Sequence, residues 1–117
     1  LDLLMKYNEG EALHPFDDPA YLDLAMEAID ELIAADKIFE INTGAMSRGY
    51  RSEPYPQALL LKYIQTHGGK ICITSDCHAR DNLDCGFDIA RNRAKAAGFD
   101  QVMVLTEQGF VPDSLWD

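Results

Sequence analysis

Basic residues are scarce in this chain: ten Lys and Arg stand against twenty Asp and Glu, for a formal charge of −10 at pH 7. Nucleic-acid binding depends mainly on Lys and Arg neutralising phosphates, so DNA and RNA are set aside as partners. An anionic small molecule would need a local cation against that background, either a bound metal or a placed arginine. No apolar run approaches the roughly 18 residues that a membrane span requires. The opening Leu1-Asp2-Leu3-Leu4-Met5-Lys6 also lacks the basic start and small-residue cleavage site of a signal peptide. A cytoplasmic chain without a membrane partner is the expectation. Cysteine is limited to Cys72, Cys77 and Cys85, an odd number with no CxxC pair, which does not read as a disulfide framework and suits a reducing compartment. Internal repeats and low-complexity stretches are absent too.

What is present fits one ordinary domain. The chain has 117 residues, of which 47% are apolar and 26% charged, close to globular averages. That length holds one modest core, since domains commonly run to about 100–150 residues. Its first sixteen residues read as the tail of a loop, and the expectation is residues 1–117 as a single domain or the C-terminal portion of a longer one. A sheet edge left open by such a division would invite self-association with a second copy.

Local patterns alternate between helix and strand. Leu22, Ala25, Met26, Ile29, Leu32 and Ile33 recur at helical spacing, with Asp18 as N-cap and Pro19 at the first helical position, and predict a helix to about Ala35. Ile38-Phe39-Glu40-Ile41-Asn42 reads as a buried strand, followed by a long polar loop from Gly44 to Pro56. A second helix fits Gln57 to Thr66, with Leu59, Leu60, Tyr63 and Ile64 as its apolar residues and Gly68-Gly69 as its stop. Lys70 to Ser75 follows as a strand, Leu83 to Ala97 as a helix closed by Gly98, and Gln101 to Thr106 as a strand turning at Gln108-Gly109. Strand, helix, strand, helix, strand in that order predicts an α/β fold with a parallel sheet of about three strands and flanking helices. Ligands of such sheets bind at the C-terminal ends of the strands. The loops Thr43 to Pro56 and Asp76 to Asn82 therefore carry the candidate site.

Asp76 and His78 stand at the exit of the second strand, and if extension persists that far both project to one face. A hard carboxylate oxygen beside an imidazole nitrogen suits Zn, Mn or Fe, though a catalytic zinc usually keeps three protein ligands. The plainer reading makes Asp76 a helix cap or loop carboxylate and His78 a loop residue. Strand alternation would turn Cys77, between them, away from such a metal. In the first loop, Arg48 presents a guanidinium fork suited to two phosphate oxygens. Arg51 competes for that role, and a solvated loop arginine is the alternative for either. Glu40 and Asn42 alternate with apolar neighbours and so would face the strand-end crevice. There Glu40 would contact a cationic group or orient a ligand, unless it is simply a carboxylate held by hydrogen bonds. His67, in the last turn of a helix, suits the dipole there, and His14 precedes Pro15 in a loop.

Taken together, Glu40-Ile41-Asn42-Thr43-Gly44, then Tyr55-Pro56, then Gly68-Gly69-Lys70-Ile71-Cys72-Ile73-Thr74-Ser75-Asp76-Cys77-His78 are similar to the closing part of PHP-superfamily phosphatases of the histidinol-phosphate phosphatase type. The likeness runs on through Gly86-Phe87 and Ala96-Ala97-Gly98-Phe99. It implies the C-terminal part of a distorted (β/α)7 barrel whose multinuclear cluster of divalent metals hydrolyses phosphomonoesters. Asp76 and His78 would be metal ligands and catalytic residues, with Arg48, Glu40 and Asn42 binding substrate. The family's other ligands, an early His-x-His pair, a Glu and further His residues, have no counterpart in this sequence, and His14 departs from the residue expected there. Histidinol phosphate is the substrate so implied, in histidine biosynthesis, with little or no catalysis from this segment alone. Two rivals stand beside that expectation: a non-catalytic or interaction module derived from such a domain, and a phosphoesterase of the same type with another substrate.

Overall fold

A computed structural model describes residue 11 and residues 17–116. His14 and the opening stretch Leu1 to Asn8 lie outside the described residues.

Helix α1 spans Pro19–Ala34, and its start follows from local chemistry: Asp18 accepts a hydrogen bond from the Ala20 amide at 3.1 Å, and Pro19 needs no amide partner at the first position. Strand β1 (Ile38–Asn42) comes next. The polar loop expected after it instead opens with a short helix, α2 (Gly44–Ser47). Helix α3 covers Ala58–Thr66 and ends where Gly68 takes a left-handed φ of 80°, a conformation without steric penalty for glycine. Leu60, Leu61 and Ile64 form its buried stripe, whereas Leu59 is exposed. Strand β2 (Lys70–Thr74) follows and stops one residue before the expected end.

The helix expected from Leu83 begins only at Phe87: residues 83–86 turn, Gly86 has φ 76°, and α4 runs Phe87–Ala97 to a left-handed Gly98. A 3-10 turn at Arg80–Asn82 precedes it. Strand β3 (Gln101–Thr106) then folds straight back on β4 (Gly109–Ser114).

The topology corrects the expected sheet of three parallel strands. Among the described residues only β1 and β2 pair in parallel, with Glu40 opposite Cys72 and Asn42 opposite Thr74. β3 lies near β2 but forms its ladder with β4, antiparallel, Thr106 facing Gly109. The physical reason is local. A two-residue turn at Glu107-Gln108 with Gly109 at φ 98° closes a hairpin, and a hairpin is the cheapest pairing in chain entropy. The strand Gly109–Ser114 escapes sequence reading because it holds Pro112 and polar residues, which an edge strand tolerates. The fold is therefore mixed α/β.

Helices α1, α3 and α4 contribute Ile29, Leu60, Leu61, Ile64, Ala90, Ala94 and Ala97 to one core. They meet the apolar face of the parallel pair, Phe39, Ile41 and Ile71, with Ile73 packed partly buried against it. Because side chains alternate, Glu40, Asn42, Cys72 and Thr74 share the opposite face. The three cysteines are free thiols. Among the described residues no helix is long and apolar enough to cross a membrane.

Candidate active site at the ends of the parallel strands

Two turns leave the C-terminal ends of β1 and β2 side by side, tied together by Thr43. This residue is fully buried; its amide donates to the Thr74 carbonyl at 2.9 Å and its hydroxyl to the Cys85 carbonyl at 2.6 Å. One side chain thus fixes the first turn to the end of β2 and to the far limb of the second. Ser75, also buried, closes that second turn by donating to the Leu83 carbonyl at 2.8 Å.

The first turn is held from within. Asn42 Oδ1 accepts from the Gly44 amide at 2.8 Å, and Asn42 Nδ2 donates to Glu40 Oε1 at 3.2 Å. Glu40 Oε2 in turn accepts from the Thr74 hydroxyl at 2.9 Å. The Glu40 carboxylate is therefore oriented by two neutral donors on the polar face of the strand pair. Facing it, the Cys72 thiol is pushed up from its ordinary pKa, first by burial and second by the Glu40 charge. The backbone of Asn42 also exchanges two hydrogen bonds with Tyr55, beside the cis Tyr55–Pro56 bond.

Arg48 joins the two turns. Its Nη1 donates to the Asp76 carbonyl oxygen at 3.0 Å, and Nη2 stands 3.6 Å from Asp76 Oδ2. The two side chains remain 31% and 56% exposed, so both keep open hydrogen-bonding capacity toward solvent or a ligand. Arg51, the competitor for the same role, is turned inward instead: it is buried, with its guanidinium 5.3 Å from the Tyr55 ring centre. The structure brings Arg48 to the Asp76 turn and Arg51 into the interior.

The alternation invoked for Asp76 and His78 does not hold. β2 ends at Thr74, and Asp76 has a left-handed φ of 47°, which breaks the extended geometry that would carry both side chains to one face. Aspartate tolerates this conformation better than most residues. The same break removes the alternation argument that turned Cys77 away. His78 follows on the turn, exposed. Asp76 and His78 are suited in donor type to a divalent ion, yet among the described residues no group of three His, Cys, Asp or Glu side chains converges to hold one. His67 plays a different part: its ring stacks on Tyr63 at 3.9 Å, on the helix surface, while Tyr63 donates to Asp30.

A cavity of about 800 Å³ lies elsewhere, between segment 51–57, α3 and α4, where Arg93 pairs with Glu53. None of Glu40, Asn42, Arg48, Asp76 or His78 lines it. The cavity and the candidate strand-end site are therefore two separate places. Sequence reading named Thr43, Gly44 and Ser75 only as parts of strand ends and loops, without a role of their own; the main partner of Thr43, Cys85, lies 42 positions along the chain. Only the Asn-Thr-Gly run, a composition typical of turns, hinted at a fixed geometry there.

No protein-family model matches the chain. Over 105 residues it is 23% identical to a "probable histidinol-phosphatase" of Schizosaccharomyces pombe, an alignment covering 89% of this chain and 34% of that protein. The chain thus spans about a third of the relative's length. At that identity the likeness points to a relation with phosphatases and leaves the substrate open.

Proposed function

We propose that this chain is part of a hydrolase acting on small phosphate monoesters, with Arg48 as the phosphate contact. The observation that carries the reading is the placement of the Arg48 guanidinium against Asp76, at the ends of two parallel strands, in a chain whose net charge is −10. A cation directed at the strand ends of so acidic a molecule concentrates an anion there. The similarity to a protein named as a histidinol-phosphatase supports histidinol phosphate as the substrate. Its amine and imidazole would find the oriented carboxylate of Glu40, flanked by Asn42, on the same polar face.

Asp76 and His78 are the residues of this chain that would hold a divalent metal such as Zn, Mn or Fe. When bound, such an ion supplies Lewis-acid stabilisation of phosphoryl charge and an activated water. The chain's own residues supply the rest. Arg48 orients the phosphate through its fork, Glu40 anchors the cationic end, and the Thr43 hydroxyl keeps the two turns in register. The remaining ligands of a multinuclear cluster would come from outside the described residues.

The test is phosphate release from histidinol phosphate by the protein that contains this chain. Arg48→Met is expected to lower kcat/KM by about a hundredfold or more, with chelation abolishing turnover. Full activity after both treatments would overturn the reading. The Arg48–Asp76 contact also favours a second reading, in which the internal pair replaces metal and the chain serves as an interaction module. Elemental analysis of the purified chain separates the two, since a stoichiometric divalent metal is incompatible with the second.

A further inference from the structure

Gly44 lies directly beneath Arg48. A Cβ built on this glycine would stand 2.6 Å from Arg48 Nη2 and 3.0 Å from both Asn42 Oδ1 and the Ser75 carbonyl oxygen. Separations under about 3 Å are essentially unknown for real Cβ atoms, so any side chain at position 44 must displace something. Asn42 is held to the Gly44 amide and Ser75 sits in the buried base of the second turn, which leaves the partly exposed guanidinium as the group that yields.

We propose that Gly44 is the positioning residue for Arg48: its bare Cα is the platform across which the guanidinium lies to reach the Asp76 turn. This rests on the reading of Arg48 as the phosphate contact. Three features converge on the platform. Asn42 clamps the Gly44 amide from one side. The Ser47 hydroxyl donates to the Gly44 carbonyl at 3.0 Å and holds the first turn of α2 closed, with Arg48 at its C-terminal end. The left-handed backbone of Asp76 presents its carbonyl oxygen to Nη1, so the arginine is gripped through the main chain as well as through charge. A directional grip of this kind fixes the plane of the fork, which a point charge such as Lys would not reproduce.

The experiment follows the Arg48 side-chain N–H resonances of the whole 117-residue chain, with and without inorganic phosphate. In the parent protein these signals should stand apart from those of solvated arginines and shift on titration. Gly44→Ala should return them to the solvated position and weaken phosphate binding by about tenfold, the loss of one charge-assisted contact. A folded Gly44→Ala chain whose Arg48 signals match the parent overturns the proposal, as does a parent chain whose Arg48 signals are already those of a solvated side chain. If Arg48 stands apart but phosphate moves nothing, the phosphate reading fails while the phosphate-free spectra still decide the role of Gly44. Should Gly44→Ala unfold, the double variant Gly44→Ala/Arg48→Ala decides. Recovery of the fold supports Arg48 as the displaced group, and continued unfolding shows that the Ser75 carbonyl was the obstacle and overturns the assignment.

Discussion

The two faces of the parallel strand pair have opposite duties, although they alternate residue by residue along the same backbone. One face, Phe39, Ile41, Ile71 and Ile73, is sealed beneath α1, α3 and α4. The other carries Glu40, Asn42, Cys72 and Thr74; there side-chain hydrogen bonds join Glu40 to Asn42 and Thr74, and Glu40 stays exposed. The contrast teaches that a period of two lets a five-residue strand stabilise the fold with its odd positions and hold polar side chains in a fixed arrangement with its even ones. Substitutions should therefore divide cleanly by parity.

The largest effect is expected on the sealed face. Ile41→Ala, at a fully buried position, should lower unfolding stability by about 2–5 kcal/mol in denaturant titration, through lost transfer energy and the cavity left behind. The hinge between faces comes next. Thr43→Val keeps the shape but strands the Cys85 carbonyl, and about 1–3 kcal/mol should be lost, visible as a lower midpoint with unchanged m-value. On the open face, Glu40→Gln should change stability by no more than about 0.5 kcal/mol, since the amide remains near both donors in a solvent-exposed position. A loss comparable to that of Ile41→Ala would break the division by parity.

The smallest effect concerns Cys72. Burial and Glu40 both raise its pKa, so its thiolate is scarce at pH 8 and alkylation should be slower than for an ordinary thiol. Because burial is the larger cause, Glu40→Gln should speed alkylation by only about two- to fivefold. The accompanying stability term has a definite sign. A thiol pKa raised on folding favours the folded state fully below about pH 8.5, the ordinary thiol value. That advantage is lost as pH climbs through the raised value. Thermal unfolding from pH 7 to 10, in the parent and in Cys72→Ser, checks it: only the parent should lose midpoint at the alkaline end for this reason.

How much could be read beforehand depended on how local the cause was. The start of α1 at Asp18-Pro19, the stop at Gly68, and the five residues of β1 are each written in a few adjacent side chains, and all were legible. Phe87 rather than Leu83 begins α4 because Gly86 adopts a left-handed turn that helical propensity alone does not reveal. Pairing partners were less accessible still. β3 had a strand's composition, but whether it would join β2 or fold back on β4 turned on the hairpin at Glu107-Gln108. At the site, strand alternation was carried as far as His78, whereas β2 ends at Thr74 and Asp76 is left-handed.

By itself the amino-acid order determined the succession α1, β1, α3, β2, α4 and β3, the acidic field, and the residue types available at the strand ends, because those depend on neighbours within a turn or two. Tertiary structure alone decided that Arg48 rather than Arg51 meets Asp76, 28 positions away, and that Thr43 reaches Cys85 across 42. Such contacts are set by packing of elements distant in the chain. Their selection rests on shape, on whether a glycine leaves room or a carbonyl points inward, and that information exists only once the backbone is assembled.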